Sequence, residues 1–231
     1  MGRSAVVVNT EQNAGLSIAQ GRLFYDRFGA WQDKSAFYED PAITQMLEHA
    51  AMATANTVVE FGCGTGRIAL RLLRRELPRT AIYWGIDASP TMVRLASSRL
   101  HSLGGRASVC LTDGTLSLPL ADSCCDRFIS TYVLDLLSPS DIALVVQEAN
   151  RILVPGGKLC LVSLTHGATP VGRMAERLWT AVFRHNPWYV GGCRPISIDR
   201  YLSASTWIVE HRNSVIAWGL TSEALVAVKL D

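Results

Sequence analysis

The sequence predicts an α/β fold, a mostly parallel sheet with helices packed on both of its faces. Three observations carry that prediction. Short β-branched and aromatic runs alternate with amphipathic helical stretches between residues 57 and 164, the pattern of repeated strand–helix–strand units. The first run, Thr57-Val58-Val59-Glu60-Phe61, passes straight into Gly62-Cys63-Gly64-Thr65-Gly66. Helical periodicity then begins at once, with Ile68, Leu72 and Leu73 spaced to face the sheet. Finally, two acids, Asp87 and Asp113, close the second and third apolar runs. The carboxyl ends of strands are where α/β sheets hold ligands.

The 231 residues are 48% hydrophobic, enough for one substantial core, and the whole chain (1–231) reads as a single domain. Residues up to about Asn13 have a poorly ordered composition. A helix is predicted from Ser17 through Phe28, carrying Tyr25-Asp26-Arg27, and a second from Pro41, suited to a first turn, to about Met52. Together, residues 1–55 form a helical cap. Tyr25 and Trp31 either cover a ligand or pack as core aromatics. Residues 56–165 form the core. Its later strands fall at Ala81–Ile86, Ala107–Thr112, Cys125–Tyr132 and Lys158–Leu164. Ser89-Pro90 starts one helix as N-cap and first-turn residue. Ser138 to Asp141 starts another, whose buried stripe is Ile142, Val145, Ala149 and Leu153, and Val154-Pro155-Gly156-Gly157 breaks it. Residues 166–205 hold an amphipathic helix, Gly172–Arg184, that sets Met174, Leu178, Trp179, Val182 and Phe183 against Arg173, Glu176, Arg177 and Arg184. Residues 206–231 read as two closing strands, Trp207–Gly219 and Glu223–Leu230.

A net charge of +2 gives no strong attraction to nucleic acid. The arginines at 67, 71, 74 and 75 read as a solvated helix face rather than a phosphate site. None of the six cysteines forms C-x-x-C, and no Cys/His cluster has zinc spacing, so no metal is expected. Reduced thiols acting as small hydrophobes, Cys110 and Cys160 among them, suit a cytoplasmic protein. No secretory leader and no apolar run long enough to span a bilayer is visible.

Glycine spacing narrows the ligand. A dinucleotide fingerprint, G-x-G-x-x-G, needs a third glycine at position 67, which is Arg67. Instead the chain reads Glu60-x-Gly62-x-Gly64-x-Gly66. That arrangement resembles the first motif of class I S-adenosylmethionine-dependent methyltransferases. The blocks Val58–Gly66, Gly85–Met92, Leu111–Gly114, Asp126–Leu137 and Leu153–Leu164 follow the same family in order and spacing. The Pro-Gly-Gly turn and the Tyr-Asp-Arg start are similar to its small-molecule and lipid branch, which includes quinone-ring and phospholipid methyltransferases. The resemblance implies a Rossmann-like seven-stranded sheet with an antiparallel last strand, joined by a tight turn at Gly219–Ser222. It also implies S-adenosylmethionine as cofactor, held by Tyr25, Glu60, Gly62, Gly64, Gly66, Asp87, Ala88, Met92, Asp113, Gly114 and Thr131. In this reading Asp87 takes the ribose diol, and Asp113 takes the adenine amino group while Gly114 makes room for the ring.

Methyl transfer is an in-line displacement at a carbon already activated by a sulfonium. The protein contributes alignment and a dry pocket. Tyr132, Asp135 and His166, at the ends of strands four and five, are candidates beside the methyl, with no general base assigned. The Asn/Asp-Pro-Pro-Tyr signature of enzymes that methylate amide or base nitrogens is absent. Ser130-Thr131-Tyr132-Val133 stands in its place, which favours a small-molecule or lipid acceptor over nucleic acid. Trp179, Trp188 and Arg194 are candidates to bind that acceptor, with core closure as the alternative. The amphipathic helix could also rest peripherally on a membrane. Two other readings stay open, a nicotinamide-dependent oxidoreductase and a catalytically silent cofactor-binding protein. The acceptor and the oligomeric state are not legible.

Overall fold

The computed structural model describes residues 16–231; the expected poorly ordered start, up to about Asn13, lies outside them. Its sheet has seven strands in the order β3-β2-β1-β4-β5-β7-β6. Strands β1 (Thr57–Phe61), β2 (Ile82–Asp87), β3 (Ala107–Leu111), β4 (Cys125–Thr131) and β5 (Leu153–Leu164) are mutually parallel. Strand β7 (Leu220–Lys229) runs antiparallel between β5 and β6 (Trp207–Ala217). The single antiparallel strand is as the family resemblance implies. The strand order reverses between β1 and β4, and that reversal opens a crevice at their carboxyl ends.

Burial on both faces follows from the two-residue period of a strand. Val58 packs on one side of β1 with Ile43 and Met46 of α2 (Ala36–His49), Ala69 of α3 (Arg67–Arg71), and Ala96 and Leu100 of α4 (Pro90–Leu100). Its neighbour Val59 packs on the other side with Ile142, Val145 and Ala149 of α5 (Pro139–Ile152). The Ser89 and Ser138 hydroxyls accept the amides of Met92 and Asp141, and a proline follows each, so both helix starts are as predicted. Among the described residues no helix is long and apolar enough to cross a membrane.

Several boundaries differ, each for a local reason. Helix α2 starts at Ala36, five residues before Pro41, because the short helical turn Gly29–Ser35 feeds directly into it. Pro41 therefore sits inside the helix, where it removes one hydrogen bond. Leu153 belongs to β5 rather than to the helix before it, and the Pro-Gly-Gly segment is a bulge within the strand, between Leu153 opposite Cys125 and Lys158 opposite Arg127. The closing hairpin turns at Trp218-Gly219, two residues earlier than expected, with Ala217 paired to Leu220. Arg74 and Arg75 are exposed as expected, whereas Arg67 and Arg71 are only partly so. Arg67 binds Glu39 (3.1 Å) and Asp40, and Arg71 donates to Thr44 (2.8 Å), so both tie α3 to α2. All six cysteines are free as expected, but Cys110 is exposed on the edge strand rather than buried.

On α6 (Pro170–His185) the apolar residues do not all turn inward. Phe183 is buried, whereas Met174 and Leu178 face solvent.

Candidate functional site

At the switch point lies a cavity of about 480 Å³, within the range of small-molecule sites. Its floor is the turn after β1 together with the ends of β2 and β4; its roof is α1 (Ile18–Phe28), through Ile18, Gly21 and Tyr25. Of the residues expected to hold a cofactor, Tyr25, Gly62, Gly64, Asp87, Ala88, Met92, Gly114 and Thr131 line it.

The three glycines of the turn serve different ends. All three have positive φ (75°, 52° and 74° in order), a backbone that glycine alone adopts freely. A Cβ on Gly62 would stand 2.3 Å from Val133 Cγ2, and one on Gly66 would stand 3.0 Å from Ala96. Gly62 is thus needed for contact with the β4 turn, and Gly66 for the approach of α3 to α4. Gly66 does not line the cavity. A Cβ on Gly64 would meet nothing within 4 Å. That open side of the turn is where a ligand can lie on bare backbone.

Asp87 is half-buried beside it. Its Oδ2 accepts the Gly64 amide and its Oδ1 the Ser89 amide, both at 2.9 Å. Burial raises its pKa while these amides pull the other way. A carboxylate has about four acceptor positions, so each oxygen keeps capacity for a hydroxyl in the cavity.

Besides Gly66, two expected contacts fall elsewhere. Glu60 points away from the cavity into the interior and accepts the Tyr83 hydroxyl at 2.5 Å. Burial pushes its carboxyl up to about 8, so at neutral pH it is a protonated internal acid. The side alternation of β1 explains this, since a residue two before Gly62 faces the packed helix layer. Asp113 is exposed and accepts the Thr115 amide (2.9 Å), closing its own turn, and those backbone bonds hold its carboxyl below the usual range. Gly114, next to it, does reach the cavity and lies under Ile18.

Of the candidates beside the methyl, only Tyr132 lines the cavity. Its φ of 54° is unusual for a non-glycine residue. Its hydroxyl donates to Ser222 Oγ at 2.8 Å, and burial drives its pKa upward, so it is no base. Asp135 is fully buried behind the lining; its Oδ2 accepts the Leu164 amide at 3.2 Å, and burial pushes its carboxyl up to about 7. His166 is exposed and lies 2.6 Å from Glu176 of α6, off the cavity. The acceptor candidates also stand behind the lining rather than in it. Trp179 Nε1 donates to the Cys193 carbonyl (2.8 Å), Trp188 sits edge-on to Phe24 (5.5 Å) and the Arg194 guanidinium donates to the Leu137 carbonyl. Trp31 is exposed, with Lys34 Nζ 3.4 Å above its ring, and it neither lines the cavity nor packs in the core.

Sequence reasoning missed the clasps that hold the roof. Asp26 Oδ1 accepts the Ser89 hydroxyl (2.5 Å) and the Thr91 amide (3.2 Å), fastening α1 to the start of α4. Asp33 accepts Thr65 of the glycine turn and Arg99 of α4, both at 2.5 Å. No sequence signal marks such long-range pairs. Gly21 did carry one, because a glycine inside an amphipathic helix costs about 1 kcal/mol unless space is needed, and it lines the cavity.

Comparison with known proteins agrees with this geometry. Residues 58–157 match the model of a family described as a methyltransferase domain. A malonyl-[acyl-carrier protein] O-methyltransferase of Marinomonas is 30% identical over 147 residues, 63% of this chain and 52% of that protein. The ubiquinone/menaquinone biosynthesis C-methyltransferase of Syntrophotalea carbinolica is 31% identical over 146 residues, 63% of this chain and 58% of that one. The chain thus spans just over half the length of these relatives. The N-methyltransferase NodS of Bradyrhizobium japonicum, solved with S-adenosyl-L-homocysteine, superposes with a TM-score of 0.69 at 17% identity, covering 91% of this chain and 99% of that one. The chain is thus similar to methyltransferases over residues 58–157 and shares the fold of a solved methyltransferase.

Proposed function

We propose that this chain binds S-adenosylmethionine in the cavity at the switch point and transfers its methyl group to a small, apolar or lipid-like acceptor. One observation carries the reading: the open side of Gly64 and the Asp87 carboxylate border the same cavity. The residues fit the cofactor. Gly64 leaves room for its amino-acid end, and Asp87 has acceptor capacity for a ribose diol. When bound, the cofactor supplies an electrophilic methyl on a sulfonium. Tyr25, Gly21 and Ile18 of α1 exclude water from above, and Phe61, Val133, Leu136 and Leu137 give an apolar wall for the acceptor. Alignment in such a dry pocket is the protein's main contribution. Among the described residues the lining holds no histidine or lysine, and its carboxylates are Asp87 and Asp141. Asp141 is engaged by the Ser138 hydroxyl at 2.8 Å. The lining thus favours an acceptor that needs no strong base. A relative named for ubiquinone/menaquinone biosynthesis supports an acceptor with an apolar body, and one named for a malonyl carrier supports a small one.

Calorimetric titration with S-adenosylhomocysteine and NAD separates this reading from an oxidoreductase: binding of the first alone is expected. Transfer of labelled methyl from S-adenosylmethionine into a lipid or small-molecule fraction of a cell extract, with mass identification of the product, separates it from a silent binder. Binding without transfer into any fraction would refute enzymatic activity.

A further inference from the structure

The apolar stripe of α6 that faces solvent is not isolated. Val171, Met174 and Leu178 are 64%, 68% and 69% exposed and spaced i, i+3, i+7, so they form one ridge. The β6–β7 hairpin tip lies against the same helix; a Cβ on Gly219 would stand 4.0 Å from Ala175 Cβ. Beside that glycine is Trp218, 80% exposed, and its ring meets Phe37 of α2 edge-on at 5.6 Å. Phe37 is itself 57% exposed. Three separate elements thus present large apolar side chains on one surface.

Trp218 is the most telling of them. The two central turn residues have φ of 54° and 84°, the type I′ pattern that asparagine and glycine adopt with least strain. A bulky aromatic in the left-handed region is disfavoured, and here it gains no burial in return. Such an outlier points to a role outside the fold. The exposed charges of α6 that stand in no ion pair among the described residues are positive. Arg173, Arg177 and Arg184 run beside the apolar ridge of α6, and Lys34 lies nearby in sequence on the turn before α2. The neighbouring acids are each paired: Asp33 with Arg99, Glu39 and Asp40 with Arg67, and Glu176 with His166 and the Gly167 amide.

We propose that this surface docks on an anionic lipid bilayer, with Trp218, Met174 and Leu178 entering the headgroup–acyl boundary and Arg173 and Arg177 meeting lipid phosphates. Tryptophan is suited to that boundary, with an apolar ring and a polar N–H. An amphipathic helix with basic residues on its polar side lies in the plane of the interface. A protein partner of mixed charge would be expected to meet carboxylates outside ion pairs as well as arginines, and the arginines left outside ion pairs complement a phosphate surface. The inference extends the proposed lipid-like acceptor but does not require methyl transfer, and the two can fail separately.

The test is co-sedimentation of the full chain with phosphatidylcholine vesicles, with and without phosphatidylglycerol. Each sample is paired with a melting curve, light scattering and S-adenosylhomocysteine titration. Wild type is expected to bind the anionic vesicles and to lose that binding in high salt. Trp218→Ser should weaken it at least about tenfold, the loss expected for one aromatic anchor. Arg173→Glu with Arg177→Glu should weaken it by about a hundredfold or more, because two attractive charges become repulsive. S-adenosylhomocysteine binding and melting temperature should be unchanged in both variants, since none of these residues lines the cavity. Equal sedimentation of wild type and both variants would overturn the proposal. So would no binding to either vesicle. A wild-type dimer that Trp218→Ser converts to monomer would assign the surface to a second copy and overturn it as well. Vesicle binding in a protein that ignores S-adenosylhomocysteine would leave this inference standing and refute the cofactor reading instead.

Discussion

Replacing Asp87 by asparagine is the sharpest probe of the cavity, because the structure allows its two effects to be worked out separately. Each carboxylate oxygen accepts one backbone amide, from Gly64 and from Ser89. Asparagine keeps one acceptor oxygen and presents a donor where the other stood, so one of the two amides loses its partner. An unsatisfied, partly buried amide costs about 1–3 kcal/mol, and in a chain of this size each kcal/mol lowers the melting temperature by roughly 2–4 °C. The variant should therefore melt several degrees lower yet remain folded. Binding suffers independently. A hydrogen bond from a ribose hydroxyl to a charged acceptor is worth about 1.5–3 kcal/mol, which corresponds to a tenfold to hundredfold rise in Kd. Calorimetry with S-adenosylhomocysteine, run beside melting curves at the same pH, reads both effects. A folded variant that binds with wild-type affinity would show that Asp87 only closes the turn, and the cofactor placement would be wrong.

Other perturbations separate the roles of neighbouring residues. Glu60 has a folded pKa of about 8, raised from 4.5. Its contribution is therefore fully present below about pH 4.5 and is lost as pH rises through 8, a decline of at most about 1.4 kcal/mol per pH unit in that window. Glu60→Gln keeps an acceptor for Tyr83, so denaturant midpoints measured across pH 5–8 should flatten; an unchanged slope would mean that Glu60 is ionised in the fold. Gly62→Ala should lower the melting temperature sharply, because its methyl would meet Val133 at 2.3 Å. Gly64→Ala carries only backbone strain of about 1–2 kcal/mol, but should abolish S-adenosylhomocysteine binding; the opposite ranking in either assay would reverse the roles given to the two glycines. Asp26→Ala removes the clasp on Ser89 and Thr91. Amides of α1 should then exchange faster in hydrogen-exchange measurements while those of β1 and β4 stay protected, whereas uniform acceleration would mean global rather than local loosening.

What was legible in the sequence was what depends on local order. Strand β1, its glycine turn and the serine caps at 89 and 138 are written in adjacent residues, so spacing alone located them. Asp87 was legible because it directly ends a strand. Glu60 misled because the motif counts residues without saying which face of β1 each one occupies; an even offset from Gly62 sends it into the helix layer, to Tyr83. Asp113 misled for a related reason, since an acid at a strand end can spend its oxygens on its own turn. The aromatics from 179 to 189 look alike in sequence, yet Trp179 ties the helix to the Cys193 carbonyl, Trp188 packs on Phe24 of α1 and Tyr189 is exposed. Helix α6 shows the same limit in reverse. Its amphipathic pattern announces an apolar side, and only the packing of Phe183 inward reveals that Met174 and Leu178 belong to a different surface.

Strand β7 follows the other six in the chain but occupies a place between β5 and β6. During synthesis, β6 would leave the ribosome with no neighbour to pair with, and β5 would wait with one bare edge. The sheet cannot close until residues 220–229 slide in and bond on both sides at once. Before that moment a long strand edge is open to the wrong partner, and dependence on chaperones should be concentrated there. A stalled or shortened chain that lacks β7 would thus be expected to lose two strands from the sheet rather than one, and to aggregate through β5.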